Sequence, residues 1–137
     1  MMNSLVPLFL FASVPFLVLA GSTTTTTSAA EGAKSTVLKH VVMYKFRDDC
    51  TPEQVQEVID AFSKMVKSID TVIGFEKGMN ASKEGKSEGF THIFVVTFKD
   101  DTGLASYLKH PAHDEYVLVV KTKREKVVVF DYTTEAK

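Results

Sequence analysis

The chain has 137 residues, 45% hydrophobic and 24% charged, an ordinary globular composition with room for one domain and one core. Lys and Arg together number 16 against 17 Asp and Glu, so no net field favours nucleic acid or an anionic surface as a partner. The single cysteine, Cys50, excludes an internal disulfide framework and reads as an inert, partly buried thiol.

Residues 1–20 (MMNSLVPLFLFASVPFLVLA) carry no charged side chain, and their apolar run from Leu5 ends in Ala20, Gly21 and Ser22. That run is too short for the ~20 apolar residues of a membrane-spanning helix. It fits the apolar region of a cleaved secretory signal peptide, with Val18 and Ala20 at the recognition positions. The expectation is a mature protein free of the membrane, in the secretory pathway or outside the cell. An uncleaved anchor is the lesser alternative, kept open because no Lys or Arg precedes the run. Residues 21–35 follow, with Thr23 to Thr27 consecutive and no apolar side chain larger than alanine, so they read as a disordered spacer.

The folded domain is expected over residues 36–134. Val37 to Phe46 is β-branched and aromatic, with Leu38, His40, Val42, Tyr44 and Phe46 on one side of a strand. Thr51-Pro52-Glu53-Gln54 is a helix start, because Thr51 can cap, Pro52 suits the first turn and Gln54 completes a capping box. Val55, Val58, Ile59, Phe62, Met65, Val66 and Ile69 then form one apolar stripe. Gly74 to Asn80 reads as a short strand, residues 81–89 as a polar turn, and Phe90 to Phe98 as the strongest strand. Asn80-Ala81-Ser82 matches the N-glycosylation acceptor pattern.

A helix is predicted from about Asp101 through Leu108, broken at Pro111, with a second from about Ala112 to Lys123. The basic run Lys121 to Lys126 reads as a solvated helix end. Lys126 to Tyr132 closes the domain as a strand. The order β-α-β-β-α-β is the α+β, ferredoxin-like arrangement. The third and fourth strands are apolar on both sides: Phe90, Phe94, Val96 and Phe98 against Ile93 and Val95, and Val128, Phe130 and Tyr132 against Val127 and Val129. Helices cover one side, and a second copy of the sheet is the simplest cover for the other, so a homodimer is expected.

KHVVMYKF, GMN, GFTHIFVVTF, YLKHPAH and VVVFDYT, in this order across nearly all of Val37 to Thr134, resemble the stress-responsive dimeric α/β-barrel (Dabb) family. The resemblance implies a ferredoxin-like protomer whose sheets pair into a dimeric barrel. Its polyketide cyclases use the tyrosine and second histidine of YxxHPAH in an aldol cyclisation, which implies Tyr107 and His113 as catalytic residues here. Their strand histidines match His40 and His92, implied as binding residues. Ile59 and Phe62 line the expected pocket but stand where the cyclases carry bulkier or more polar aromatics. An exported chain, moreover, would not meet intermediates made from cytosolic coenzyme A thioesters.

The chemistry agrees with such a site. Closing a ring by C–C bond formation needs a base for a proton next to a carbonyl, and a histidine titrating near neutrality supplies one. A tyrosine hydroxyl can hold the oxygen on which charge develops. No cofactor is expected, and two histidines give too few ligands for a metal. The bland alternative is structural: His110 ends one helix and starts the next, His113 bonds backbone at the new N-terminus, and Tyr107 is a core aromatic. The expectation is therefore an exported, dimeric barrel that binds a small apolar molecule or acts structurally, with a cofactor-free, cyclase-like enzyme as the alternative.

Overall fold

The computed structural model describes residues 35–136. The predicted signal peptide, and all but the last residue of the predicted spacer, lie outside them. Seven elements follow in order: β1 (Thr36–Phe46), α1 (Pro52–Lys67), β2 (Val72–Met79), β3 (His92–Phe98), α2 (Asp101–Leu108), α3 (Pro111–Lys121) and β4 (Arg124–Glu135). The strands form one antiparallel sheet in the order β2-β3-β1-β4. This is the expected ferredoxin-like α+β protomer.

Local chemistry sets the element ends. The Thr51 hydroxyl accepts from the Gln54 N–H while the Gln54 side chain accepts from the Thr51 N–H, the full capping box, with Pro52 beginning α1. Asp100 caps α2 through the Gly103 N–H. His110 caps α3, its Nδ1 accepting from the Ala112 N–H at 3.1 Å, and Pro111 stands at the first helical turn. The break expected at Pro111 is thus also a helix start.

Burial along β1 alternates as the sequence suggests, with Leu38, His40, Val42, Tyr44 and Phe46 all buried. They join Phe94, Val96 and Phe98 of β3 and Val58, Phe62, Met65 and Val66 of α1 in one core between sheet and helices. A parallel stack of three rings lies inside it: Phe62 is 4.3 Å from Phe94 and 5.4 Å from Phe75. Such stacks add about 0.5–1.5 kcal/mol per pair beyond burial.

Three expectations need correction. β3 begins at His92 rather than Phe90, because Phe90 still closes the turn, its N–H bonding Ser87 O. The basic run is not all helix end: Lys123 does reach back to Val119 O, but Arg124, Glu125 and Lys126 already belong to β4. The third concerns cover. The open side of the sheet carries Val41, Met43, Ile93 and Val95 with Val128, Phe130 and Tyr132 by register, as expected. On the other side the helices shield β1 and β3 but not β4, whose Val127 and Val129 stay exposed.

Candidate functional site

Tyr107 of α2, His113 of α3 and His40 of β1 meet in one corner between sheet and helices. The Tyr107 ring is in edge contact with His113 at 5.0 Å and with His40 at 5.7 Å, and it packs on Phe98 at 5.1 Å. The i, i+6 separation brings Tyr107 and His113 together because the chain turns between two helices at His110-Pro111. His110 is spent on that turn. The His113 ring does not bond backbone, contrary to the structural alternative: its Nδ1 is buried and has no hydrogen-bond partner.

Burial sets the protonation of the pair. It lowers the His113 pKa below the ordinary imidazole value; Asp114 works against this and His40 with it. Burial raises the Tyr107 pKa well above the usual phenol range. At neutral pH the corner therefore holds a neutral imidazole beside a protonated phenol.

His40 has a partner that sequence reasoning missed. Asp131 of β4 places its Oδ1 2.7 Å from His40 Nδ1. The bond holds a proton on Nδ1 and orients the ring. The two residues face each other across the β1–β4 ladder, so the signal lay in strand register, which is a non-local property.

The other proposed binding residues lie apart from this corner. His92 pairs across the sheet with Tyr44 while His40 pairs with Val96, so the two histidines stand four residues apart along β1, or roughly 13 Å at the rise of an extended strand. His92 rests edge-on against Phe46, with its Nδ1 2.9 Å from Thr91 Oγ1. With Ile59, Lys77, Gly78, Met79 and Phe94 it lines an opening of about 210 Å³. Phe62 is not at that surface but is buried in the ring stack, with Tyr116 edge-on to it at 4.8 Å. Tyr116 in turn donates to the Tyr44 hydroxyl at 3.1 Å. The sequence gives one pocket to His40, His92, Ile59, Phe62, Tyr107 and His113; the structure makes two places, with aromatic rings between them. Among the described residues no group of three His, Cys, Asp or Glu side chains is placed to hold a metal ion.

The profile of the stress-responsive A/B barrel domain matches residues 38–134. The chain belongs to this family. Stress-response A/B barrel domain-containing protein HS1 of Arabidopsis thaliana is 37% identical over 102 residues, covering 74% of this chain and 93% of HS1. Olivetolic acid cyclase of Cannabis sativa is 33% identical over 96 residues, covering 70% of this chain and 95% of the cyclase. Among solved structures, an Arabidopsis thaliana protein at 34% identity superposes with a TM-score of 0.68 over 73% of this chain and 97% of its own. A dimeric ferredoxin-like protein of Thermobifida fusca, 20% identical with a TM-score of 0.63 over 73% of this chain and 92% of its own, shares the fold. This A/B barrel domain accounts for every described element from β1 to β4.

Proposed function

We propose that this A/B barrel protein is a homodimer that binds a small, mainly apolar molecule through a carbonyl or hydroxyl oxygen at Tyr107 and His113. The observation that carries the reading is the buried, unpartnered Nδ1 of His113. Leaving such a group unsatisfied costs about 1–3 kcal/mol, and native structures keep few of them without a use. Apolar rings surround it on the Tyr107 side, which suits a ligand with one polar end. The homodimer is supported by the apolar open face of the sheet and by dimeric proteins of the same fold.

Catalysis is the second reading, favoured by the protonation states and by the relative named olivetolic acid cyclase. A neutral His113 can take a proton from the carbon next to a ligand carbonyl, while the Tyr107 hydroxyl donates a hydrogen bond to that carbonyl oxygen. The enolate carbon then attacks a second carbonyl of the same molecule. The new alkoxide takes the proton back from the His113 imidazolium, which closes a ring and restores the base. No cofactor is needed for this sequence.

The test uses His113→Ala and Tyr107→Phe, with a series of short aliphatic ketones and diketones as probes. Because His113 Nδ1 bonds nothing, His113→Ala is expected to shift the melting temperature little, losing only a ring contact of about 0.5–1.5 kcal/mol. Ketone affinity should fall about tenfold or more in both variants, the equivalent of ~1.4 kcal/mol. Loss of stability with unchanged ketone binding overturns the ligand site. Diketone condensation by the wild type that disappears in His113→Ala decides for catalysis over binding alone.

A further inference from the structure

The chain has two asparagines, Asn3 and Asn80, and only Asn80 heads an Asn-X-Ser/Thr acceptor, Asn80-Ala81-Ser82. Its middle residue is alanine and not proline, which such an acceptor forbids. The triplet opens the polar loop between β2 and β3, directly after Met79 ends β2. All three residues are exposed, and so are those that follow through Lys86. The backbone entering the loop is held, because the Asn80 N–H donates to Thr91 O at 2.8 Å. Asn80 Oδ1 accepts from the Ser82 N–H at 2.9 Å. The carboxamide nitrogen, Nδ2, makes no hydrogen bond among the described residues. An exposed amide with its nitrogen free is the group that N-linked glycosylation modifies.

The bland alternative is that Asn80 serves only the turn. An aspartate would make the same side-chain bond to the N–H two residues on, so the turn does not require the amide. Nor does it require the Ser82 hydroxyl, which accepts only a long bond of 3.3 Å from the Glu84 N–H. The surroundings suit a bulky hydrophilic group. Met79, next to the acceptor, is 71% exposed, and a glycan at Asn80 would shield it. Val95, on the open face of the sheet, pairs with Glu76, four residues before Asn80. His92, opposite Met79, stands four residues along β1 from His40. A glycan on Asn80 is thus rooted beyond the end of β2, clear of the open face and of the Tyr107–His113–His40 corner.

We propose that Asn80 carries an N-linked glycan in the exported protein. This rests on the export expected from residues 1–20, because the transfer takes place in the secretory pathway. The donor is an oligosaccharide linked to a polyprenyl pyrophosphate. Asn80 Nδ2 bonds to its anomeric carbon as the carbon–oxygen bond to the pyrophosphate breaks. One amide proton passes to a base of the transferase, and polyprenyl pyrophosphate leaves with the bonding electron pair. The Ser82 hydroxyl is the group by which the transferase recognises the acceptor.

The full chain, expressed with its own residues 1–20 in cultured mammalian cells, tests this by intact mass before and after peptide N-glycosidase. The secreted protein is expected to begin near Gly21 and to lose the mass of one glycan on treatment. Peptide mapping should then find an aspartate at position 80, since the enzyme deamidates the residue that carried the sugar. Ser82→Ala keeps the Asn80 Oδ1 bond, which uses the Ser82 backbone N–H. It should lose the glycan with an unchanged circular dichroism spectrum, while Ser82→Thr should retain it. A chain that begins near Gly21 and shows no mass change overturns the glycan and leaves export standing. Met1 intact without a glycan overturns both, whereas Met1 intact with a glycan keeps the modification and overturns cleavage. A glycan that survives Asn80→Gln overturns Asn80 as its site.

Discussion

At the residue scale two half-buried histidines make stability depend on pH with a definite sign. Burial lowers the pKa of both His113 and His92 in the fold. An unfolded chain takes up the proton at the ordinary imidazole value near 6.5. Between that value and the lower folded values the unfolded state binds more protons, so stability falls as pH drops through this window. Above it both states are neutral and these groups add no slope. Urea titrations at a series of pH values should show the midpoint falling below about pH 6.5, and His113→Ala should flatten that fall. A midpoint that stays level from pH 7 to pH 5 contradicts the burial of these rings.

At the scale of elements, α1 shows how a few polar groups fix a boundary that apolar periodicity leaves loose. Its stripe of Val58, Phe62, Met65 and Val66 buries against the sheet and would do so if the helix began a residue earlier or later. The reciprocal Thr51–Gln54 bonds choose the start. Thr51→Ala should therefore cost about 0.5–2 kcal/mol, read as a lower urea midpoint with an unchanged slope. The proposed ligand site lies on α2, α3 and β1, so ketone binding should survive this change. The three-helix rather than two-helix count also arises here. A proline that stops a continuous helix is at the same time a good first residue for the next, provided the residue before it can cap, and His110 does so.

For the whole molecule the sheet faces differ in what they contact. Phe94 and Val95 are adjacent in β3, yet Phe94 is locked under α1 and Val95 looks out on the open side. Val95→Asp should therefore prevent assembly while leaving a folded protomer, seen by sedimentation and circular dichroism. Phe94→Asp should instead unfold the domain, because it buries an unpaired charge. A Val95→Asp protein that still dimerises at wild-type affinity contradicts the open face as the interface. We also propose that the apolar run over residues 1–20 directs export. Sequencing of the native protein should then begin near Gly21, and a chain with Met1 intact contradicts cleavage.

The sequence by itself determined whatever depends on neighbours a few residues away. Alternation in Val37 to Phe46 put His40 on the buried side of β1, three- and four-residue spacing made the α1 stripe, and His110-Pro111 marked the joint that turns His113 towards Tyr107. The recurring segments from KHVVMYKF to VVVFDYT were enough for the family. Only the tertiary structure decided what depends on register between distant strands. It paired His40 with Asp131, set His92 four residues from His40 along β1, and filled the space between with Phe62, Phe75 and Phe94. A period of two says which side a strand residue faces but not which residue stands opposite. It was likewise the packing of helices, and not any pattern in VVVF, that left both sides of β4 uncovered.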